Sequence, residues 1–232
     1  MFFRDLSIGA SRYAAMPKGH TARDFNFSAH ALQEIFLTFM PRKYLLDGMA
    51  KTNLTLGPRN GDKQYAQLID VNIYYVEDFD FRAYFAASTR ERDEMLLAAL
   101  EKGLLDIAGR SGADPEPIRK AIADTRACGC ERRYVIKRLS RMTKSRGLKL
   151  NVFRHVFHGG ESWGIDIANR KGQVLETRWI AEKTDWFRAG NNYRRSMLKG
   201  DNFVLLDFIA RQSYKLNVAK IEGKLLAERG RS

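Results

Sequence analysis

Three runs of alternating apolar residues between 148 and 179 are separated by segments too short to hold a helix. The residues that share one face are, run by run, Leu148, Leu150 and Val152; Trp163, Ile165 and Ile167; and Leu175, Thr177 and Trp179. The separating segments, Gly159-Gly160 and residues 169–172, are rich in turn-forming residues. Because a period of two indicates a strand and such short connections join antiparallel neighbours, the pattern predicts a three-stranded meander.

A second β region is predicted over residues 50–76. Alternating residues from Tyr65 to Tyr75 indicate one strand, and residues 51–56 indicate a shorter partner. The connector, residues 57–62, contains two glycines, a proline, an asparagine and an aspartate. These are turn residues, so the segment is interpreted as a hairpin.

The clearest helix signal covers residues 88–108. Ser88 and Glu91 have the spacing of a capping box, an apolar stripe follows, and Gly109 or Gly112 ends the helix. A second helix starts with Asp114 as its cap and Pro115 at its first position. A helix is also predicted between Ser28, its possible cap, and Pro41, and a strand over the run 35–40 is the alternative.

Together these patterns predict an α+β fold: an antiparallel sheet, made of the hairpin and the meander, packed with about four to six helices. Further helices are expected at 131–145 and from about Asp201 onwards. We therefore expect an α+β domain over 1–183 and a mostly helical extension over 184–232. One single domain over 1–232 is the alternative.

The charge of the chain is distributed unevenly. Residues 1–116 contain 14 basic and 16 acidic side chains, a net charge of −2. Residues 117–232 contain 26 basic and 11 acidic side chains, a net charge of +15. Because an asymmetric charge attracts oppositely charged ligands to one region, the second half is expected to bind an anionic partner.

The candidate anion-binding residues lie mainly in the predicted helix 131–145, where they form a basic face on a helical wheel. The predicted nucleic-acid contacts are Arg132, Arg133, Lys137, Arg138, Arg141, Lys144, Arg146, Arg170 and Lys171. A second group, Arg188, Arg194, Arg195 and Lys199, would enlarge this surface if it folds onto the same side. The alternative is a solvated face that only keeps the protein in solution.

These residues lead to a non-enzymatic nucleic-acid-binding protein as the first hypothesis. The second is a protein inhibitor of the immunity type that masks an acidic enzyme. In that case Trp186 or Tyr193 would serve as an exposed aromatic anchor. The chain is expected to need no cofactor.

Three other groups carry chemistry but have weaker spacing. His155, His158 and Glu161 would suit a hydrolase, although 155 and 158 point to opposite faces of a strand. Cys128 and Cys130 are too few for a zinc site and are expected to be reduced thiols at a helix junction. The run Glu77 to Asp80 could hold Mg²⁺, but a polar strand end is the simpler interpretation.

The sequence lacks the phosphate loop, dinucleotide fingerprint, nucleophile elbow and zinc-protease motif of common enzyme classes. No apolar run approaches the roughly 20 residues of a membrane span. Residues 1–5 lack the layout of a signal peptide, and the chain has only two cysteines. A cytoplasmic location is expected from these features.

Overall fold

The computed structural model describes residues 1–143, 147–184, 193–207 and 209–221. The chain divides into two compact units. Unit 1 comprises Met1–Arg132 and Phe157–Gly159, and unit 2 comprises Arg133–Val156 and Gly160–Ser232. The division therefore falls near residue 132, whereas the sequence places it at 183. Helices and antiparallel-rich sheets both occur, in agreement with the predicted α+β class.

Unit 1 contains a four-stranded sheet whose strands lie in the order β1-β2-β4-β3. The strands are β1 (Asp5–Ala10), β2 (Lys51–Leu56), β3 (Tyr65–Leu68) and β4 (Val71–Val76). The first three in spatial order run parallel, and only β3 pairs antiparallel with β4. The predicted hairpin across residues 57–62 is therefore wrong. Its true turn is Ile69-Asp70, where both residues have positive φ values of 42° and 44°.

Four α-helices also belong to unit 1: α1 (Ala22–Phe39), α2 (Phe81–Ala86), α3 (Thr89–Ser111) and α4 (Glu116–Ala127). The capping box predicted for α3 is present, because Ser88 accepts from the Glu91 N–H and Glu91 accepts from the Ser88 N–H. The helix continues through Gly109 and ends at Gly112, which has the left-handed conformation that glycine tolerates best. Helix α1 starts earlier than predicted, with Thr21 as its cap.

The core of unit 1 forms where the helices cover the sheet. Leu54 and Leu56 of β2 are buried, as are Leu100 and Leu104 of α3. Gly103 lets α3 approach β2 closely, because a methyl group there would lie 2.7 Å from a Leu54 side-chain carbon. This packing holds the second half of α3 against the sheet.

Unit 2 is built from two sheets. The first contains β5 (Arg132–Val135), β7 (Lys149–Phe157), β8 (Gly160–Ala168) and β9 (Val174–Thr184) in that order, and β6 (Arg141–Met142) also pairs with β7. The second contains β10 (Arg195–Lys199), β11 (Asn202–Leu206) and β12 (Gln212–Asn217). Residues on their inner faces form one core, including Val152, Ile165, Phe203 and Leu216.

The second sheet replaces the helix expected from Asp201. Phe203, Val204 and Leu205 are all buried, so β11 is apolar on both faces. A strand of this kind lacks visible alternation and resembles a buried helix in sequence. Residues 218–221 are helical, and residues 222–232, where the predicted last helix continues, lie outside the described part of the chain.

Candidate functional site

The predicted basic helix over 131–145 does not form. The described part of this segment consists of β5, a single 3-10 turn called η1 (Lys137–Leu139), and β6. Residues 144–146 are not described, so Lys144 and Arg146 have no assigned position. The cationic residues of this segment are therefore placed by strand geometry and tertiary contacts.

Arg133 is exposed on the first sheet of unit 2, but its guanidinium group is engaged by a carboxylate and a ring. Its Nη2 donates to Asp166 Oδ1 at 2.5 Å, and its guanidinium carbon lies 3.3 Å from the centroid of the Phe153 ring. The same Asp166 oxygen accepts from the Thr177 hydroxyl. Because a carboxylate offsets its charge, Arg133 contributes little to an anion-binding surface. In unit 1, Arg132 packs its guanidinium over the Phe39 ring at 4.3 Å.

Arg138 and Arg141 make a different kind of contact, because their partners are backbone carbonyls. Arg138 donates to the carbonyl oxygens of Arg194 at 2.9 Å and Tyr193 at 3.3 Å. Arg141 donates to the Ser196 carbonyl at 3.0 Å and to two carbonyls of its own segment. A carbonyl is neutral, so these bonds fix both guanidinium groups without cancelling their charge.

These bonds bring η1 and β6 beside the start of β10, where Arg194 precedes the strand and Arg195 is its first residue. Both are exposed, and neither has a carboxylate within 4 Å among the described residues. Lys199 lies on the same face of β10 as Arg195, four residues further on. We call Arg138, Arg141, Arg194, Arg195 and Lys199 the basic patch.

The face of the second sheet that carries Arg195 and Lys199 also carries Lys215, around a buried centre at Val204, which is 3% exposed. Strand register places Met197 opposite Val204 and Val204 opposite Lys215, so Lys215 shares the face of Arg195 and Lys199. The described positions of the three strands on this face include no acidic residue: they are Arg195, Met197, Lys199, Asn202, Val204, Leu206, Lys215 and Asn217.

Arg170 and Lys171 lie in the turn between β8 and β9 and are exposed. Arg170 packs against Gly147, where an added methyl group would lie 2.5 Å from its Nε. No described contact links either residue with the basic patch. The sequence predicts them as turn residues that extend a basic helix face over 131–145, and this helix does not form.

The cationic residues at β10, which belong to the basic patch, are only a secondary group in the sequence prediction. Arg194, Arg195 and Lys199 were noted as an addition that depends on the fold. The structure places the Arg194 carbonyl against Arg138, which is 56 residues away in sequence. The adjacent pair Arg194-Arg195 was the available signal, while Arg188 lies outside the described residues.

His155, His158 and Glu161 each have a different described partner. In unit 1, His158 Nδ1 lies 2.7 Å from Asp93 Oδ1. In unit 2, Glu161 binds Arg154 and accepts from the Trp163 indole N–H at 2.8 Å. The His155 ring lies 6.3 Å from the Trp179 ring, measured between centroids. Within the described ranges, no three His, Cys, Asp or Glu side chains are arranged to hold a metal.

The cysteines and the acidic run also have structural partners. Cys128 caps α4 and donates to the Thr125 carbonyl, and both cysteines are free thiols. Burial raises the pKa of the Cys130 thiol to about 12, so it is unreactive at neutral pH. Asp78 pairs with Lys102, and Asp80 caps α2 by accepting from the Ala83 N–H. The described contacts therefore give the cysteines and these aspartates structural roles, and they do not indicate a metal site in either group.

Comparisons with protein families, curated proteins and solved structures find no match for this chain. Among the described residues, no helix combines the length and apolar character needed to cross a membrane. The basic patch is therefore the feature of unit 2 that best supports a function.

Proposed function

We propose that unit 2 binds nucleic acid through the basic patch. One observation carries this proposal: Arg138 and Arg141 are held by neutral carbonyls directly beside Arg194 and Arg195, without an offsetting carboxylate among the described residues. Gathering like charges is unfavourable unless a ligand with opposite charge compensates them. A polyanion supplies that compensation at several points simultaneously.

The chemistry of arginine suits a phosphate backbone. A guanidinium group offers a planar set of donors that matches two phosphate oxygens. When cationic side chains contact phosphates, condensed counterions are released, and this release dominates affinity at low salt. Because the described residues of the patch have a single sign of charge, binding is directed to the backbone and tolerates many sequences.

The nature of the surface favours nucleic acid over an acidic protein. Protein interfaces rely on buried aromatic anchors, but Tyr193 is only 4% exposed and packs against Trp163. Trp186, the other predicted anchor, lies outside the described residues. The side chains next to Lys199 and Lys215 include Asn202 and Asn217, which suit phosphate and sugar contacts.

The test replaces Arg194, Arg195 and Lys199 by glutamine in one variant. These three are preferable to Arg138 and Arg141, whose bonds to carbonyls also stabilise the fold. Fluorescence anisotropy with labelled single- and double-stranded oligonucleotides, between about 50 and 200 mM salt, measures the affinity. We expect at least about tenfold weaker binding. The slope of log affinity against log salt should become shallower by up to about 2.7, or about 0.9 for each phosphate that the variant no longer neutralises.

A matched control removes the same charge from unit 1. Lys18, Arg42 and Lys43 are exposed and have no described ion pair, so K18Q/R42Q/K43Q changes the net charge equally. We expect this control to retain most of the affinity. Equal binding by wild type and both triple variants would show that the basic patch is not the binding site.

A further inference from the structure

Unit 1 contains a cavity of about 380 Å³ that the proposed function does not use. The first turns of α3, the end of α4 and residue 158 form its walls, and all of its lining residues belong to unit 1. Two groups noted separately in the sequence meet here, because His158 and Cys130 both line the cavity. The volume is in the range that accommodates a small ligand.

The central feature of the cavity is a buried histidine–aspartate pair. His158 Nδ1 lies 2.7 Å from Asp93 Oδ1, and the two side chains are 10% and 11% exposed. An ionised carboxylate only accepts hydrogen bonds, so Nδ1 carries the hydrogen. In the neutral ring Nε2 is then an acceptor, and no described residue provides it with a donor. Asp93 therefore fixes the ring of a residue that lines the cavity, and Nε2 of this ring has no donor among the described residues.

The charges around the pair leave one cation available. Asp93 is used by His158, and Glu94 accepts from Arg126 at 2.9 and 3.1 Å. Arg90 also lines the cavity, is exposed, and has no carboxylate within 4 Å among the described residues. Glu131 contributes to the wall but is exposed and already engaged. The cavity thus presents a free guanidinium group and an oriented acceptor.

We propose that this cavity binds a small organic anion that carries a hydroxyl group close to its charge. Arg90 pairs with the phosphate or carboxylate of the ligand. The hydroxyl group of the ligand donates a hydrogen bond to Nε2 of His158. Cys130 contributes a neutral wall, because its buried thiol remains protonated. Both sugar phosphates and hydroxy acids have this chemistry. The site lies entirely in unit 1 and does not depend on the basic patch.

The test follows the histidine ring signals by NMR while glycerol 3-phosphate or lactate is added to the full chain. The chain has four histidines, and His158→Gln identifies the signals of residue 158. We expect saturable shifts of the His158 signals for at least one of the two anions. The anion that causes the shift shows whether the site prefers a sugar phosphate or a hydroxy acid. His20, His30 and His155 serve as internal controls and should not shift.

Two variants separate a binding role from a purely structural one. Arg90→Gln should lower the affinity for the responding anion at least about tenfold, without changing the His158 signals of the free protein. Arg119→Gln, an exposed α4 arginine paired with Glu116, is the matched control and should leave the affinity unchanged. Asp93→Asn should redistribute the hydrogen between the two ring nitrogens, which ¹⁵N shifts report directly.

The proposal is overturned by any of three results. The first is the absence of a His158 shift with both anions up to about 20 mM, which exceeds the millimolar range of weak sites. The second is equal affinity in wild type and Arg90→Gln. The third is an equal response to uncharged glycerol. Because Arg90 is exposed, its variant keeps the test valid if His158→Gln fails to fold.

Discussion

Gly164 shows at the residue scale why one position of β8 excludes every side chain. A methyl group there would lie 2.3 Å from Phe153 Cζ and 2.9 Å from the Arg178 carbonyl oxygen. Phe153 is fully buried between the Arg133 guanidinium group and the edge-on Trp179 ring. Gly164→Ala should therefore lower the free energy of unfolding of unit 2 by about 2 kcal/mol through overpacking. Urea unfolding followed by tryptophan fluorescence measures this, because all three tryptophans belong to unit 2.

Gly109 provides the control with the opposite expected sign. It lies inside α3, and an added methyl group would meet no atom within 4 Å. Alanine is favoured over glycine in a helix by about 1 kcal/mol, so Gly109→Ala should stabilise unit 1. Far-UV circular dichroism follows this change. Unchanged stability of Gly164→Ala would mean that Phe153 has room to move and that the packing is looser than described.

At the scale of single elements, the Ser88–Glu91 capping box sets the start of α3. The Ser88 hydroxyl accepts from the Glu91 N–H, and the Glu91 side chain accepts from the Ser88 N–H. The Ser88 hydroxyl also donates to the Glu91 carboxylate at 2.6 Å, and this bond, followed by the one from the Ser88 N–H, holds the pKa of Glu91 below its usual value. Ser88→Ala should destabilise unit 1 by about 1 kcal/mol in urea unfolding followed by circular dichroism. Ser88→Gly should lower the free energy of unfolding by only a few tenths of a kcal/mol. Equal losses of stability in the two variants would contradict a capping role.

The elements that the sequence predicts best are those specified by local contacts. Helix α3 has its cap within three residues, and the end of α1 at Phe39 is close to Pro41. The start of α1 was missed because Ser28 resembles a cap, whereas its hydroxyl lies 2.6 Å from the Tyr84 hydroxyl. The turn at Ile69-Asp70 lacks the glycine or asparagine that usually marks a hairpin. The sequence therefore predicts one strand where the structure has two, β3 and β4.

The prediction of a helix over 131–145 was wrong for a different reason. The structure of this segment depends on partners that are distant in sequence. The Ile136 N–H donates to the Val152 carbonyl, and Arg133 is held by Asp166, 33 residues further on. A helical wheel considers only neighbours within the segment, so it grouped cations that strand geometry separates. For the candidate site, the sequence therefore predicted the excess of charge but not which arginines lie together.

At the scale of the whole molecule, buried tyrosines make stability sensitive to high pH. Burial raises the pKa of five tyrosines to about 12: Tyr44, Tyr65, Tyr74, Tyr84 and Tyr193. Tyrosine in an unfolded chain has a pKa near 10. Because the folded pKa is the higher one, this stabilisation is complete below about pH 10 and is lost as the pH rises towards 12. Each group adds a slope of up to about 1.4 kcal/mol per pH unit in that window.

Tyr193 allows this linkage to be measured in one unit with a conservative change. Its hydroxyl makes no hydrogen bond to a described residue, and its ring packs on Trp163 at 5.3 Å between centroids. Tyr193→Phe keeps the ring and removes the ionisable group. The urea midpoint of unit 2, followed by tryptophan fluorescence, should therefore fall less steeply above about pH 10 in this variant than in wild type. Identical profiles would show that Tyr193 ionises without unfolding, and that its hydroxyl reaches solvent in the native state.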